Sequence, residues 1–141
     1  MLKVMLIDDE PWVLIHLERL VDWETLGFKL CGSFQSCATA LEEMQKEPPD
    51  ILFLDISMPE TSGLDFLRKL HSTGLFPHTV VLTGFAEFEY AQDALRLGVV
   101  DYLLKPLSEA KLRALLEELK KKGRPTHSTC LLYTSPSPRD L

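Results

Sequence analysis

Two hydrophobic periods alternate along most of the chain. Short, nearly unbroken apolar runs occur at 3–8 (KVMLID), 28–34 (FKLCGSF), 50–55 (DILFLD), 79–84 (TVVLTG) and 101–105 (DYLLK). After each run, apolar residues recur every three or four positions. The sets are Val13, Leu17, Leu20 and Val21; Cys37, Leu41 and Met44; Leu64, Leu67, Leu70 and His71; Phe88, Ala91 and Leu95; and Leu112, Leu115, Leu116 and Leu119. The first pattern predicts strands, and the second predicts helices with one inward face. Chain breakers fall between them. Gly32 weakens the second strand and suits it to an edge. Pro48 and Pro49 stop the second helix, and Gly98 ends the fourth. The third helix is expected to begin near Ser62. Pro106 closes the last strand, and Ser108 is placed to cap the last helix.

Five strand–helix units with apolar strands predict a parallel sheet covered on both faces. Right-handed crossovers make this an open, doubly wound α/β fold. The strand order is taken, partly by analogy, as the flavodoxin-like 2-1-3-4-5. In such sheets, sites form beyond the carboxyl ends of the strands. That location gives a meaning to the aspartate that ends the apolar run of the third strand, Asp55.

Composition narrows the function. The chain has 141 residues, 45% hydrophobic and 26% charged, with a net charge of −6. An acidic balance opposes binding of nucleic acid by this piece alone. No apolar run approaches the roughly 18 residues of a membrane span. The opening MLKVMLIDDE reaches acids by its eighth residue, so no targeting leader is expected. Cys31, Cys37 and Cys130 form no CxxC or Cys/His cluster, which argues against zinc. Reduced thiols in a cytoplasmic protein are the expectation. His16, His71 and His78 are scattered and suggest no ligand set.

In the expected fold, Asp8 and Asp9 end the first strand, Asp55 the third, Thr83 and Gly84 the fourth, and Lys105 the fifth. Carboxylates that close raise one another's pKa, and a divalent cation relieves the repulsion. Magnesium suits the site, because it takes a few carboxylates together with waters and phosphate oxygens. Lys105 adds a positive charge able to pair with Asp55. The Thr83 hydroxyl and Gly84 N–H suit a phosphoryl oxygen. The set suits phosphoryl transfer onto Asp55 to give an aspartyl phosphate.

These residues resemble a response-regulator receiver domain of two-component signalling. The quoted motifs are Asp8-Asp9-Glu10-Pro11, LDISMPETSGLDFL, LTGF and DYLLKP, and the likeness runs over residues 2–121. The stretch GFAEFEYAQDALRLGVVDYLLKP is most similar to receivers that precede an AraC-type DNA-binding domain. The resemblance implies that Asp55 is the phosphoacceptor. It implies magnesium held by Asp9, Asp55 and the backbone carbonyl of Ser57, with Asp8 acting through water. Lys105 would bind the phosphate, and the Lys105–Pro106 bond would be cis. Thr83 and Tyr102 would form the switch. Phe85 departs mildly from the family, being bulky where receivers vary, and is expected to shield the phosphate from water. The implied partners are a sensor histidine kinase and, on phosphorylation, a second copy of the chain. DNA would be reached only through a domain absent from this chain, and no membrane contact is implied. Such a domain catalyses only its own phosphorylation and dephosphorylation. A stand-alone receiver acting by protein contact is the alternative. A haloacid-dehalogenase-type phosphatase would need a second acid after Asp55, where Ile56 and Ser57 stand. A flavin module would need a phosphate loop where DDEPWV would repel phosphate.

Residues 1–122 are read as the receiver and 123–141 as a linker remnant plus a non-native tail. The segment CLLYTSPSPRD looks like a translated sequencing-library adapter, while a natural proline-containing linker is the other reading.

Overall fold

The computed structural model describes residues 1–56, 58, 62–84 and 88–125, excluding the side chains of 88–91. In chain order the elements are β1 (Leu2–Ile7), α1 (Pro11–Leu20), β2 (Phe28–Phe34), α2 (Cys37–Lys46), β3 (Ile51–Asp55), α3 (Gly63–Ser72), β4 (His78–Thr83), α4 (Phe88–Arg96), β5 (Asp101–Leu104) and α5 (Glu109–Lys122). The strands form one sheet in the order β2-β1-β3-β4-β5, and every neighbouring pair is parallel. The expected doubly wound α/β fold and its strand order are therefore both present.

The side-chain period of two divides the core. Val4, Leu6, Ile51, Phe53, Val80, Leu82 and Leu103 face one side, where Val13, Leu14 and Leu17 of α1 and Leu112, Leu115, Leu116 and Leu119 of α5 cover them. Met5, Ile7, Leu52, Leu54 and Val81 face the other, under Ala40 and Met44 of α2, Leu64, Leu67 and Leu70 of α3, and Ala94 of α4. Every residue of β3 is buried, which explains why its sequence does not alternate. Each fully buried Leu or Phe contributes about 1.5–3 kcal/mol. Trp23, in the α1–β2 connection, joins the first side edge-to-face with Phe28 and Phe53, and its indole N–H donates to the Leu17 carbonyl at 3.0 Å.

Serine caps start three helices. Ser36, Ser62 and Ser108 accept from the backbone N–H of Thr39, Asp65 and Lys111. The start of α3 near Ser62 and the cap at Ser108 were expected; the capping roles of Ser62 and Ser36 were not.

The inward face of α4 differs from its expected position. Ala94 is wholly buried, whereas Leu95 is 44% exposed. Phe88 and Ala91, placed inward from the sequence, lie outside the described side chains. With alanine at 91 and 94 beside leucine at 95, the pattern of this short helix fits more than one phase, and it is Ala94 that joins the core face containing Leu54 and Val81. No helix among the described residues is long and apolar enough to cross a membrane.

Candidate functional site

The site is built by adjacent strand ends. β1 and β3 are neighbours, with Ile7 opposite Leu54, so the chain leaves both strands side by side. Asp8 follows β1 directly and is fully buried; Asp55 is the last residue of β3 and is 2% exposed. Oxygens of Asp8, Asp9 and Asp55 all lie within 4.8 Å of one another. Backbone bonds hold this geometry. The Asp8 N–H donates to the Phe34 carbonyl at 3.0 Å, and the Ile56 N–H to the Leu82 carbonyl at 3.1 Å. On the far side, Thr83 lies opposite Leu104, and the Lys105 N–H donates to the Thr83 carbonyl at 2.8 Å. The Lys105–Pro106 peptide is cis.

Gly63 has a steric reason. A Cβ there would stand 2.7 Å from the Ile56 Cα and 3.1 Å from the Asp55 carbonyl oxygen. The first turn of α3 therefore packs on the backbone just beyond Asp55, a fit that glycine allows.

Lys105 lies among the acids and is 21% exposed in its side chain. Its Nζ is 3.1 Å from Asp8 Oδ2, 3.3 Å from Glu10 Oε1 and 3.6 Å from Asp55 Oδ2. Burial works against its charge, but attraction from Asp55 and Asp8, with the close contacts of its ammonium to Asp8 and Glu10, holds the ammonium pKa above its ordinary value. Asp8 is pushed the other way. Burial lifts its carboxyl above the usual range, despite the hydrogen bond from the Glu10 N–H and the nearby lysine. That N–H reaches Asp8 Oδ1 at 2.9 Å. Asp8 Oδ2 is buried and faces Lys105 without the angles of a good hydrogen bond.

The donor set fits a hard divalent cation. Three carboxylates converge from two strand ends, and one buried oxygen among them is poorly satisfied. Asp8, Asp9 and Asp55 are the residues that would hold it. The backbone carbonyl of Ser57 lies outside the described residues, as does Phe85.

The remaining expected residues lie on β4 and β5. Thr83 is fully buried at the end of β4, and its hydroxyl donates to the Gly84 carbonyl at 3.1 Å. Tyr102 lies opposite Val81 and is half-buried against the core face that contains Leu52 and Leu54. Lys105 was expected to pair with Asp55; it does so, but its shortest contact is to Asp8. Glu10 was quoted as part of the acidic motif without a role, and it proves to be the lysine's third partner. A third consecutive acid at the start of a helix was the available signal.

Residues 4–117 match the family described as "Response regulator receiver domain". The chain is similar to the "Uncharacterized transcriptional regulatory protein YesN" of Bacillus subtilis, with 38% identity over 119 residues, covering 84% of this chain and 32% of that protein. It is likewise 38% identical to the transcriptional regulatory protein BtsR of Escherichia coli over 120 residues, covering 85% and 48%. It spans a third to a half of these curated relatives. Among solved structures, the REC domain of AraT, a response regulator from Geobacillus stearothermophilus, superposes with a TM-score of 0.80 at 35% identity, over 86% of this chain and 94% of that one. The chain thus belongs to the response-regulator receiver family, a phosphoacceptor signalling module rather than a conventional enzyme.

Proposed function

We propose that Asp55 accepts a phosphoryl group from the phosphohistidine of a sensor kinase. The observation that carries this is the position of Asp55, buried at the end of the central strand beside Asp8, with the Lys105 ammonium 3.6 Å away. An Asp55 oxygen attacks phosphorus, the P–N bond breaks, and the imidazole leaves with a proton. Magnesium, held by Asp8, Asp9 and Asp55 with the Ser57 carbonyl, would supply charge neutralisation at the transferring oxygens. Lys105 shifts toward the new phosphoryl oxygens. The Thr83 hydroxyl and the Gly84 N–H donate to the same group.

The phosphoryl group brings roughly −1.5 to −2 charges. Thr83 turns toward it, and Tyr102 on the neighbouring strand follows inward, so the pair biases one two-state element. The output is control of transcription through a DNA-binding domain beyond residues 1–122. This reading is supported by the transcriptional regulators among the relatives. A stand-alone receiver is the other outcome.

The phosphorylated form pairs with a second copy through α4, β5 and α5. A groove of about 390 Å³ between β5 and α5, lined by Tyr102, Leu103, Lys111, Leu115 and Glu118, supports the choice of face. The charges on this face that could bridge two copies are Glu87, Glu89, Asp93, Arg96, Lys111, Arg113 and Glu117; of these, Asp93 and Arg96 pair with each other at 3.4 Å, and Arg113 pairs with Glu109 at 2.8 Å. Lys111 and Glu117 remain the better candidates for contacts between copies. Glu87 and Glu89 lie outside the described side chains. Sedimentation with and without beryllofluoride tests the pairing, and a monomer in both conditions would overturn it.

Residues 1–122 form the receiver unit, and 123–141 are linker remnant plus non-native tail. Deleting 126–141 leaves the melting temperature unchanged, and a drop of several degrees would contradict that assignment. The phosphoacceptor reading is tested with acetyl phosphate and magnesium. One acid-stable, alkali-labile phosphoryl group should appear, and EDTA should abolish it. Labelling that persists in EDTA would overturn the metal assignment, and an alkali-stable label would overturn the acyl phosphate.

A further inference from the structure

We infer that Glu10 is a positioning residue that holds Lys105 in the unphosphorylated protein and competes with the phosphoryl group for it. The inference rests on the reading of Asp55 as phosphoacceptor. Among the described residues, Lys105 has three carboxylate partners, Asp8, Glu10 and Asp55. Asp8 and Asp55 belong to the cluster that would hold the cation, and Glu10 does not. Glu10 therefore acts on the lysine without serving the metal or the acceptor. Its contact has hydrogen-bond geometry at 3.3 Å, whereas the nearer Asp8 Oδ2 lacks it.

The local structure aims Glu10 at Lys105. Glu10 is the N-cap residue of α1, in extended backbone, with Pro11 at the first helical position. Its side chain makes no cap hydrogen bond. Glutamate is outside the residues favoured for capping, because its oxygen sits one methylene too far from the backbone. That extra methylene instead carries the carboxylate across 95 positions of sequence to Lys105. An acid near a helix start is favourable by itself, but that role needs only charge, not reach.

The consequence follows from competition. A phosphoryl group on Asp55 draws Lys105 toward its oxygens, and the contact with Glu10 is stretched or lost. An interaction made in the resting state and weakened in the phosphorylated state opposes phosphorylation. Glu10 thus lowers both the rate and the extent of labelling, on a scale set by one partly exposed, charge-assisted hydrogen bond.

Two variants separate reach from charge. Glu10→Gln removes the charge. Glu10→Asp keeps it and makes a better cap, but falls short of Lys105. In both, the maximal rate of phosphorylation by acetyl phosphate should rise about two- to fivefold, with a smaller change in the half-saturating concentration. In both, the NMR signal of the Lys105 ammonium, recorded without any phosphodonor, should shift from its wild-type position. The proposal is overturned if Glu10→Asp matches wild type in rate and lysine signal. It is also overturned if the change in Glu10→Gln is confined to half-saturation, which would mean simple repulsion of an anionic donor. The lysine signal needs no phosphorylation, so failure here is distinguishable from failure of Asp55 as acceptor, which would appear as label elsewhere on the chain.

Discussion

β3 begins just after one buried aspartate and ends in another, and the two are held in opposite ways. Asp50 is surrounded by donors. Its Oδ2 accepts the Lys3 N–H at 2.8 Å and the Arg124 guanidinium at 3.3 Å. Its own N–H donates to the Lys3 carbonyl, and its carbonyl accepts the His78 N–H, both at 2.9 Å. One residue thereby ties β1, β3, β4 and the chain beyond α5 together. Among the described residues, Asp55 faces the carboxylates of Asp8 and Asp9, and its lysine is shared with Asp8 and Glu10. Residue type and burial are nearly the same at the two ends, so neither determines the role. A carboxylate enclosed by donors is used up in the structure. One enclosed by carboxylates and a shared cation keeps repulsion that a metal or a phosphoryl transfer can relieve.

The sharpest way to break this contrast is to remove the shared cation. Lys105→Met leaves Asp8, Asp9, Glu10 and Asp55 facing one another. Urea unfolding without magnesium should show a loss of about 3 kcal/mol, toward the lower end for an orphaned buried charge because the lysine is partly exposed. Magnesium should return part of it, since a cation that binds only the folded form stabilises it. An unchanged midpoint without metal would mean the acids do not feel one another. Asp50→Ala tests the other end. It should cost about 1–3 kcal/mol, the range for stranding a buried donor, with phosphorylation retained at temperatures where the variant is folded.

Asp8 gives a smaller effect of opposite sign. Burial raises its carboxyl in the folded state above the ordinary value of the unfolded chain. Between those two values the folded form keeps a proton that the unfolded form has lost. Stability therefore falls as pH rises through that window and stays lower above it. Asp8→Asn should remove the fall, gaining stability near neutral pH without magnesium and little below the unfolded value. Thermal melts across pH check this, and a variant less stable than wild type at neutral pH would contradict it. The smallest effect is Arg124→Ala. Its side chain is 62% exposed, so screening should keep the loss below about 1 kcal/mol. A larger loss in melting experiments would show that this arginine carries more of the Asp50 end than its exposure suggests.

The fold was legible because its strands are short apolar runs and its helices follow with a clear period. β3 and α5 show this best, with every residue of β3 and all four expected leucines of α5 buried. The acids at the strand ends were legible because a parallel sheet brings strand termini together. Features that depend on reach were not. Glu10 and Lys105 lie 95 positions apart, and Arg124 and Asp50 lie 74 apart, so no local pattern marks either pair. Asp50 was read only as the start of a strand, because satisfaction by the Lys3 N–H is a property of the paired sheet. Trp23 was missed for a similar reason: it sits in a connection without a period and packs on rings from β2 and β3. The error at Leu95 came from choosing the larger apolar residue where packing required the smaller one.

The most direct measurement compares both ends of β3 in one experiment. Wild type, Asp50→Asn and Asp55→Asn are incubated with acetyl phosphate and magnesium, and intact mass is followed by peptide mapping. Wild type and Asp50→Asn should each gain one phosphoryl group, mapped to Asp55, and Asp55→Asn should gain none. Undiminished labelling of Asp55→Asn, or loss of labelling in a folded Asp50→Asn, would contradict the assignment of acceptor and structural roles to the two aspartates.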